Sequence, residues 1–426
     1  MKLAISLFVL LLAGSALGQS ASDLDRVYAP AESLYFDLHQ HPELSLHEVQ
    51  TAAKIADRLK SLGYEVTTGV GLTGVVAILK NGAGPVIMLR TELDALPVPE
   101  QTGLPYASTV TTKDDSGATV PVMHACGHDL HMAALTGTAD WMAHNKQQWH
   151  GTLMLIGQPA EERVKGAEAM LKDGLFTRFP KPDYAVAVHD TDGLPAGVVG
   201  YTQGFAMTSS DSVDITIYGR GAHGSRPHVA IDPIVIGAKI VLGLQTIVSR
   251  EVKPGDHAVI TVGAFNAGTK NNIIPDNAKL LLTVRAYKPE VRNHLMEAIT
   301  RVTKAEAMGA GAREPLIEHP ETTPATYNDP EMTRRLAGAL AKSLGATNVK
   351  EMEPDFPSED FSLYGKAGVK TTMIRVGATN PEKWEAAQKS GEILPGLHTA
   401  RFAPDLKPTL RTAIQTEVAA LLELMK

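Results

Sequence analysis

Cys126 is the only cysteine in this chain of 426 residues, and histidines flank it in the segment Met123–His131. The Cys126 thiolate and the nearby His128 imidazole are a soft and a borderline metal ligand. They can converge on one divalent ion if the backbone turns at Gly127. Taken alone, the segment also fits a buried structural cysteine beside surface histidines. The combination of ligand types favours a metal site.

Further ligand-type side chains follow runs that are typical of buried strands. They are Glu92 and Asp94 after the strand 85–90, Glu161 and Glu162 after the strand 151–157, and His189 at the end of the strand 184–190. Open α/β sheets hold their ligands beyond the carboxyl ends of strands, so we expect these side chains to share one edge. For the first pair, an exposed charged loop is the alternative. Glu161 and Glu162 are costly to bury together without a cation, and because adjacent side chains diverge, one can bind metal while the other handles protons.

The elements that must position these residues follow an α/β pattern. Apolar runs bounded by glycine and proline indicate strands, and apolar residues at helical spacing indicate helices. The candidate strands are 64–67, 74–79, 85–90, 151–157, 184–190 and 371–377, and the candidate helices are 31–39, 47–62, 132–145, 329–344 and 406–424. We predict a discontinuous catalytic metal-binding domain, residues 19–203 and 325–426, with a mostly parallel central sheet flanked by helices.

Residues 204–324 have a different pattern. The segment Ser212–Tyr218 alternates polar and apolar residues, which indicates a half-exposed antiparallel strand. A helix at 232–249, strands at 258–265 and 279–287, a helix at 289–308 and a strand at 315–319 follow. The order βαββαβ predicts an inserted α+β domain that acts in dimerisation and as a lid, with a homodimer formed through residues 204–324 and hinges near Gly204 and Pro324. The glycine-rich loop around His223 lacks a dinucleotide-binding context, so we discount phosphate binding.

The N-terminus predicts export. Lys2 provides a positive region, Leu3–Leu12 an apolar run and Ala16–Gly18 a cleavage site, so residues 1–18 are typical of a signal peptide. The apolar run is too short to span a membrane, which predicts a secreted or periplasmic protein without a membrane anchor. An uncleaved anchor is the alternative. A lone cysteine in an oxidising compartment cannot form an intrachain disulfide, which favours metal binding by Cys126. The formal net charge of -7 leaves no basic surplus for binding nucleic acid.

In combination, these segments resemble the M20 family of metallopeptidases and aminoacylases, in the amidohydrolase branch of hippurate hydrolases, N-acyl-amino-acid deacylases and indole-acetyl-amino-acid hydrolases. The resemblance covers nearly all of the mature chain and rests on Leu89–Pro97, His124–Asp129, Gln158–Glu162, Gly221–Gly224 with Pro227–His228, Asn272–Asp276, Glu359–Phe361 and Leu397–His398. It implies two divalent ions, zinc or manganese, with these ligands: Cys126 as the bridge, His128, Glu162, His189 and His398. It also implies Glu161 as the catalytic base.

One position departs from the family pattern, because the family usually has aspartate where this chain has Glu92. Asp94 is interpreted as a residue that orients a ligand rather than as a ligand itself. His124, Asp129 and His131 are not assigned as ligands.

The resemblance also implies a reaction. A water activated by the metal ions would attack the amide carbonyl of an N-acyl or N-aroyl amino acid, while Glu161 takes the proton and returns it to the departing amine. His223 matches a histidine that the partner subunit supplies to the developing oxyanion. Asn272 and Arg285 are candidates to hold the substrate's amide and carboxylate. A dipeptidase or carboxypeptidase could use the same site. A non-catalytic ligand-binding protein of the same fold is the remote alternative, and loss of Glu161 or of a ligand would mark it; all are present.

Overall fold

The computed structural model describes residues 21–426, so the predicted signal peptide at 1–18 lies outside the described residues. The strands are β1 (Glu65–Val70), β2 (Gly74–Asn81), β3 (Val86–Glu92), β4 (Thr111–Lys113), β5 (Thr119–Pro121), β6 (Gly151–Gln158), β7 (Tyr184–Pro195), β8 (Val199–Tyr201), β9 (Gly204–Met207), β10 (Ser210–Tyr218), β11 (Ala222–His223), β12 (Ala258–Ala267), β13 (Ile273–Ile274), β14 (Asn277–Ala286), β15 (Leu316–Glu318), β16 (Thr322–Thr323), β17 (Thr326–Asn328), β18 (Val349–Glu351) and β19 (Lys370–Thr379). The helices are α1 (Ala21–Gln40), α2 (Val49–Ser61), α3 (His128–His144), α4 (Gly166–Lys172), α5 (Leu175–Arg178), α6 (Pro233–Thr246), α7 (Pro289–Gly309), α8 (Pro330–Leu344), α9 (Ser362–Lys366), α10 (Pro381–Ser390) and α11 (Leu406–Leu424).

The larger sheet has eight strands in the order β1-β2-β6-β3-β7-β19-β8-β18. Its central strands β6, β3, β7 and β19 are parallel to one another, and β1, β2 and β8 add antiparallel pairs. Helices α1, α2, α3, α8 and α11 pack on one face, and α4 and α9 pack on the other. Because both faces are covered, strand β2 is buried continuously from Gly74 to Leu79. The predicted α/β class, with a mostly parallel central sheet flanked by helices, is confirmed.

The carboxyl ends of β6, β3 and β7 lie side by side, with Glu92 opposite Gln158 in register. Among the element bounds that differ from the sequence-based prediction, two bear on the predicted site. Strand β3 continues through Glu92 instead of ending at residue 90, so Glu92 is held by the sheet. Helix α3 begins at His128 rather than at residue 132, because Gly127 adopts a left-handed φ of 73° that turns the chain directly into the helix. Both differences place ligand-type side chains on rigid elements.

A second, antiparallel sheet has the order β12-β14-β10-β15. Strand β10 alternates buried and half-buried residues as its pattern predicts, and its buried side chains pack with α6 and α7. The succession β10-α6-β12-β14-α7-β15 matches the predicted βαββαβ order. Strands β9 and β17 pair with each other, so the chain enters and leaves this unit at adjacent points. The domain bounds at residues 204 and 324 stay a prediction.

Helix α6 presents apolar side chains to solvent. Within residues 21–426, the segment Pro233–Glu251 alone has the length and apolar character of a membrane-crossing helix, and 33% of it is buried by packing. Helices that pack on a sheet share this character, so it is weak evidence for a membrane span. Leu242 is 70% exposed and Val235 is 52% exposed. Exposed apolar side chains grouped in this way are typical of an interaction surface.

Candidate metal centre

The predicted ligands His189, His398 and Glu162 lie around the thiol of a fourth, Cys126. The Cys126 Sγ lies 3.1 Å from His398 Nε2 and 3.7 Å from His189 Nε2. The same His398 nitrogen is 3.4 Å from Glu162 Oε1, so Cys126, Glu162 and His398 bring their ligand atoms within 4.8 Å of one another. A thiol, an imidazole and a carboxylate from distant parts of the chain thus converge on one point.

His128 and the two adjacent glutamates form the neighbouring group. The His128 Nε2 lies 3.9 Å from a carboxylate oxygen of Glu161 and 3.9 Å from Glu162 Oε1. Within the described residues, this buried nitrogen and the buried Glu162 Oε1 have no hydrogen-bond partner. Buried polar atoms without partners are costly, so a ligand is expected between them. These orphaned atoms fit a divalent cation.

Backbone carbonyl groups orient two of the predicted histidine ligands. The Nδ1 of His128 is 2.8 Å from the carbonyl oxygen of Asp94, and the Nδ1 of His189 is 2.7 Å from the carbonyl oxygen of Asp190. A carbonyl oxygen only accepts hydrogen bonds, so each Nδ1 must carry the proton. The Nε2 of each ring is therefore the nitrogen that would bind a metal, after losing any proton that it carries.

Backbone geometry brings the ligands inward. A side chain at Gly127 would lie 2.3 Å from Asp190 Oδ2, so the turn between the two ligands Cys126 and His128 requires glycine. Ala160, next to Glu161, and His398 adopt left-handed φ values of 49° and 64°, which non-glycine residues rarely adopt. Strain of this kind is typical of functional sites whose surroundings fix the conformation.

The charges around these ligands favour a cation. Burial raises the pKa of the Cys126 thiol well above its usual range, and the Glu162 and Glu161 carboxylates add to this effect. Burial also raises the pKa of Glu162 to about 7. Although burial opposes it, the Asp94 and Glu92 carboxylates raise the pKa of His128 to about 10. A metal ion requires the opposite protonation states, so its binding must displace protons.

Asp94 contacts the predicted ligands His128 and Glu162 but is not itself a predicted ligand. Its Oδ1 is 3.5 Å from His128 Nδ1, and its Oδ2 accepts hydrogen bonds from the Ser45 hydroxyl at 2.6 Å and the Glu162 N–H at 3.0 Å. These contacts orient His128 and the Glu162 backbone, as expected of a residue that positions ligands.

Glu161 lies beside the acidic residues Glu359 and Asp360, to which the sequence assigned no role. Its carboxylate and those of Glu359 and Asp360 lie within 4.8 Å of one another. The buried Arg90 donates to Glu359 at 2.6 Å and to Asp360 at 3.2 Å. Burial and the Glu359 charge raise the pKa of Glu161 well above its usual range. One sequence offered no signal for this cluster beyond the Glu359–Phe361 motif, because its members are far apart in the chain.

Glu92 and His131 form a second group whose role the sequence did not reveal. One oxygen of Glu92 pairs with Arg90, and the other lies 2.9 Å from the Nδ1 of His131. Despite burial, these two cations hold the pKa of Glu92 well below its usual range. The extra length of glutamate at this position is therefore used to reach Arg90 and His131 together.

The three residues predicted to touch the substrate or transition state lie apart from the ligands. His223 is exposed on β11, which pairs with β13, and the N–H of Gly224 donates to the Asn272 carbonyl at 2.8 Å, so His223 and Asn272 lie close together. Arg285 donates to the Phe356 carbonyl at 3.2 Å. Within residues 21–426, the side-chain hydrogen bonds and ion pairs of His223, Asn272 and Arg285 do not reach the predicted ligands.

Proteins of known type match this chain over most of its length. A model of the peptidase family M20/M25/M40 matches residues 88–392. Hippurate hydrolase of Campylobacter jejuni is 41% identical, over 78% of this chain and 84% of that protein. Thermostable carboxypeptidase 1 of Saccharolobus solfataricus is 34% identical, over 86% of this chain and 88% of that protein. A Bacillus subtilis structure of a dinuclear metal binding peptidase from the M20 family aligns with a TM-score of 0.77 at 31% identity, covering 94% of this chain and 99% of that one.

Metal binding should stabilise the protein measurably. After treatment with a chelator, added zinc or manganese should raise the thermal unfolding midpoint in scanning calorimetry, because an ion that binds only the native state stabilises it by about 2.7 kcal/mol at 100 times its Kd. The uptake should release protons, visible as a buffer-dependent heat of binding.

The variant Cys126→Ser should lose most of this stabilisation. The matched control is His144→Asn, whose histidine side chain is 59% exposed in the last turn of α3. A midpoint of the unaltered protein that no divalent ion shifts would contradict the metal centre.

Proposed function

The chain belongs to the peptidase family M20/M25/M40, and on this basis we propose that it is an amidohydrolase that cleaves the amide bond of N-acyl or N-aroyl amino acids. That it is a metallo-amidohydrolase enzyme follows from its family. The substrate class is the proposal. The convergence of Cys126, His128, Glu162, His189 and His398 next to Glu161 is the observation that carries the reaction type, amide hydrolysis assisted by metal. Similarity to a hippurate hydrolase supports the substrate class, since hippurate is an N-aroyl amino acid.

Two divalent ions, zinc or manganese, would be held by these five residues. The ligand atoms of Cys126, Glu162 and His398 form one group, and those of His128, Glu161 and Glu162 form another, which supports a pair of ions. The resemblance to the family implies that Cys126 would bridge them. When bound, such ions lower the pKa of water and polarise a carbonyl group. Thiolate, imidazole and carboxylate together suit zinc, and metal availability decides among related ions.

Glu161 acts as the general base in this proposal. It is 8% exposed, and its carboxylate oxygen lies 3.9 Å from His128 Nε2, beside the orphaned atoms of the ligand group. It accepts a proton from the attacking water and returns that proton to the nitrogen of the departing amino acid. Burial and the Glu359 charge raise the pKa of Glu161, and a divalent cation beside it would offset this effect and leave the carboxylate ionised to accept a proton.

Residues of the predicted inserted domain, 204–324, contribute the remaining groups. His223 donates a hydrogen bond to the negative charge that develops on the carbonyl oxygen. Asn272 holds the substrate amide, and Arg285 pairs with its free carboxylate. Because His223 and Asn272 do not contact the ligands of their own chain, we assign His223 to the site of a partner subunit. The exposed apolar face of α6 supports a homodimer through residues 204–324.

A dipeptidase or carboxypeptidase is the second candidate. Similarity to a carboxypeptidase supports it, and the proposed metal centre would serve either reaction. The candidates differ in whether the acyl side carries a free amine that an acidic side chain must receive.

On the N-terminal sequence, we place the enzyme outside the cytoplasm, secreted or periplasmic.

The variant Glu161→Gln should lower kcat on N-acyl amino acids by about 10²- to 10⁴-fold, because the proton acceptor is lost while its shape remains. The measurement is hydrolysis of a panel of N-benzoyl and N-acetyl amino acids and unblocked dipeptides by the metal-loaded protein. The matched control is Glu168→Gln, an exchange of a side chain that is 55% exposed and pairs with Lys172 on α4.

The control should retain full activity. Faster turnover of unblocked dipeptides than of every N-acyl amino acid would favour the hypothesis of a dipeptidase or carboxypeptidase. Unchanged turnover by Glu161→Gln would remove the proposed base.

Subunit mixing tests the role of His223. Glu161→Gln and His223→Gln should each be inactive as homodimers, but their heterodimer, isolated with two affinity tags after co-expression, should recover about half of the unaltered activity. One of its two sites then contains an intact Glu161 and receives an intact His223 from the other subunit. Recovery of nothing would show that His223 acts, if at all, on its own chain.

A further inference from the structure

His131 is a buried histidine next to the predicted ligands that the proposed reaction does not use. It lies on the first turn of α3 and is 2% exposed. Its Nδ1 is 2.9 Å from Glu92 Oε2. Its Nε2 is 2.9 Å from the backbone N–H of Asp190 and 3.2 Å from Asp190 Oδ1. Both ring nitrogens are thus engaged.

These contacts connect the ligand turn to the sheet. Glu92 is the last residue of β3, and Asp190 lies in the neighbouring parallel strand β7. His131 therefore holds the N-terminal turn of α3 against the ends of two strands. Because α3 begins at His128, the position of this predicted ligand depends on how the first turn of the helix packs against the strands.

His131 and Asp190 also contact predicted ligands directly. The ring centroid of His131 is 4.5 Å from that of His189 and 5.6 Å from that of His128. The Asp190 carboxylate occupies the space that Gly127 leaves free, since a side chain there would lie 2.3 Å from its Oδ2. Movement of His131 would release the His189 ring on one side and the Gly127 turn on the other.

His131 differs from a ligand in one respect. The Nε2 of His128 is buried without a partner, whereas both nitrogens of His131 already have partners among the described residues. Glu92 is engaged in the same way, by Arg90 and His131. Coordination by either residue would require breaking a buried ionic contact, which is unfavourable.

We propose that His131 is a positioning residue that, through Glu92 and Asp190, fixes His128 and His189 and so sets the affinity of the ion they hold. The ion held by Cys126, Glu162 and His398 depends on it far less, since those ligand atoms form a separate group. This inference rests on the metal ligands proposed above and is independent of the substrate.

The test is a metal titration of the chelator-treated full chain with zinc, followed by calorimetry and a chromophoric competitor. The variants are His131→Phe, which keeps a planar ring but removes both nitrogens, and His131→Gln, which retains an amide that can reach Asp190. The matched control is His144→Phe on the exposed end of the same helix. The unaltered protein and the control should bind two ions.

In His131→Phe, one of the two ions should bind about 10- to 100-fold more weakly, while the affinity of the other stays unchanged. His131→Gln should lose less, and it decides the question if His131→Phe does not fold. Cobalt-substituted His131 variants should keep the visible spectrum of the unaltered protein at saturation, because no ligand has been removed.

Unchanged affinity for both ions would overturn the inference. So would equally weaker binding of both ions together with a lower unfolding midpoint of the metal-free protein. A changed cobalt spectrum would also overturn it, because His131 would then be a ligand. If the unaltered protein itself binds fewer than two ions, the proposed metal centre fails, and this inference fails with it. Failure of the variants alone leaves the proposed centre intact.

Discussion

The structure depends on compensating a dense group of buried acids at the carboxyl ends of three parallel strands. Glu92, Glu161, Asp190, Glu359 and Asp360 are each at most 8% exposed, and the Cys126 thiol lies beside them. Burying one charge without a partner is strongly unfavourable, and burying several like charges together more so. Cations must therefore be supplied at this edge of the sheet.

Two kinds of cation meet that requirement. Arg90, itself 1% exposed, pairs with Glu92, Glu359 and Asp360 from inside the protein and offsets part of their charge. On the other side lie the unpaired Nε2 of His128 and the Cys126 thiol, whose pKa is raised by burial. A divalent ion bound there would supply the remaining positive charge. Glu161 lies between the two halves, next to His128 and next to Glu359. A carboxylate between a fixed cation and a metal centre is well placed to accept and return a proton.

The fold class and the candidate metal-binding turn at Cys126 and His128 could be predicted because both leave local signals, whereas the full set of ligands was assigned from the resemblance to the M20 family. Apolar runs mark the buried strands, and a cysteine two positions before a histidine marks a metal-binding turn. Arg90 left no such signal, since its partners Glu359 and Asp360 lie 269 and 270 positions away in the chain. A single sequence carries no record of those contacts. The start of α3 at His128 was missed because the left-handed turn at Gly127, rather than apolar spacing, sets it. The roles of His223, Asn272 and Arg285 stay predictions, because one chain brings none of them to the ligands.

X-ray absorption at the metal edge of the zinc-loaded protein tests the central claim, a thiolate-containing pair of ions, most directly. The account predicts a sulfur neighbour at about 2.3 Å together with lighter nitrogen and oxygen neighbours. It also predicts a second metal at about 3.5–4 Å. The sulfur contribution should vanish in Cys126→Ser. A spectrum of the unaltered protein with oxygen and nitrogen neighbours only, and no second metal, would contradict the account.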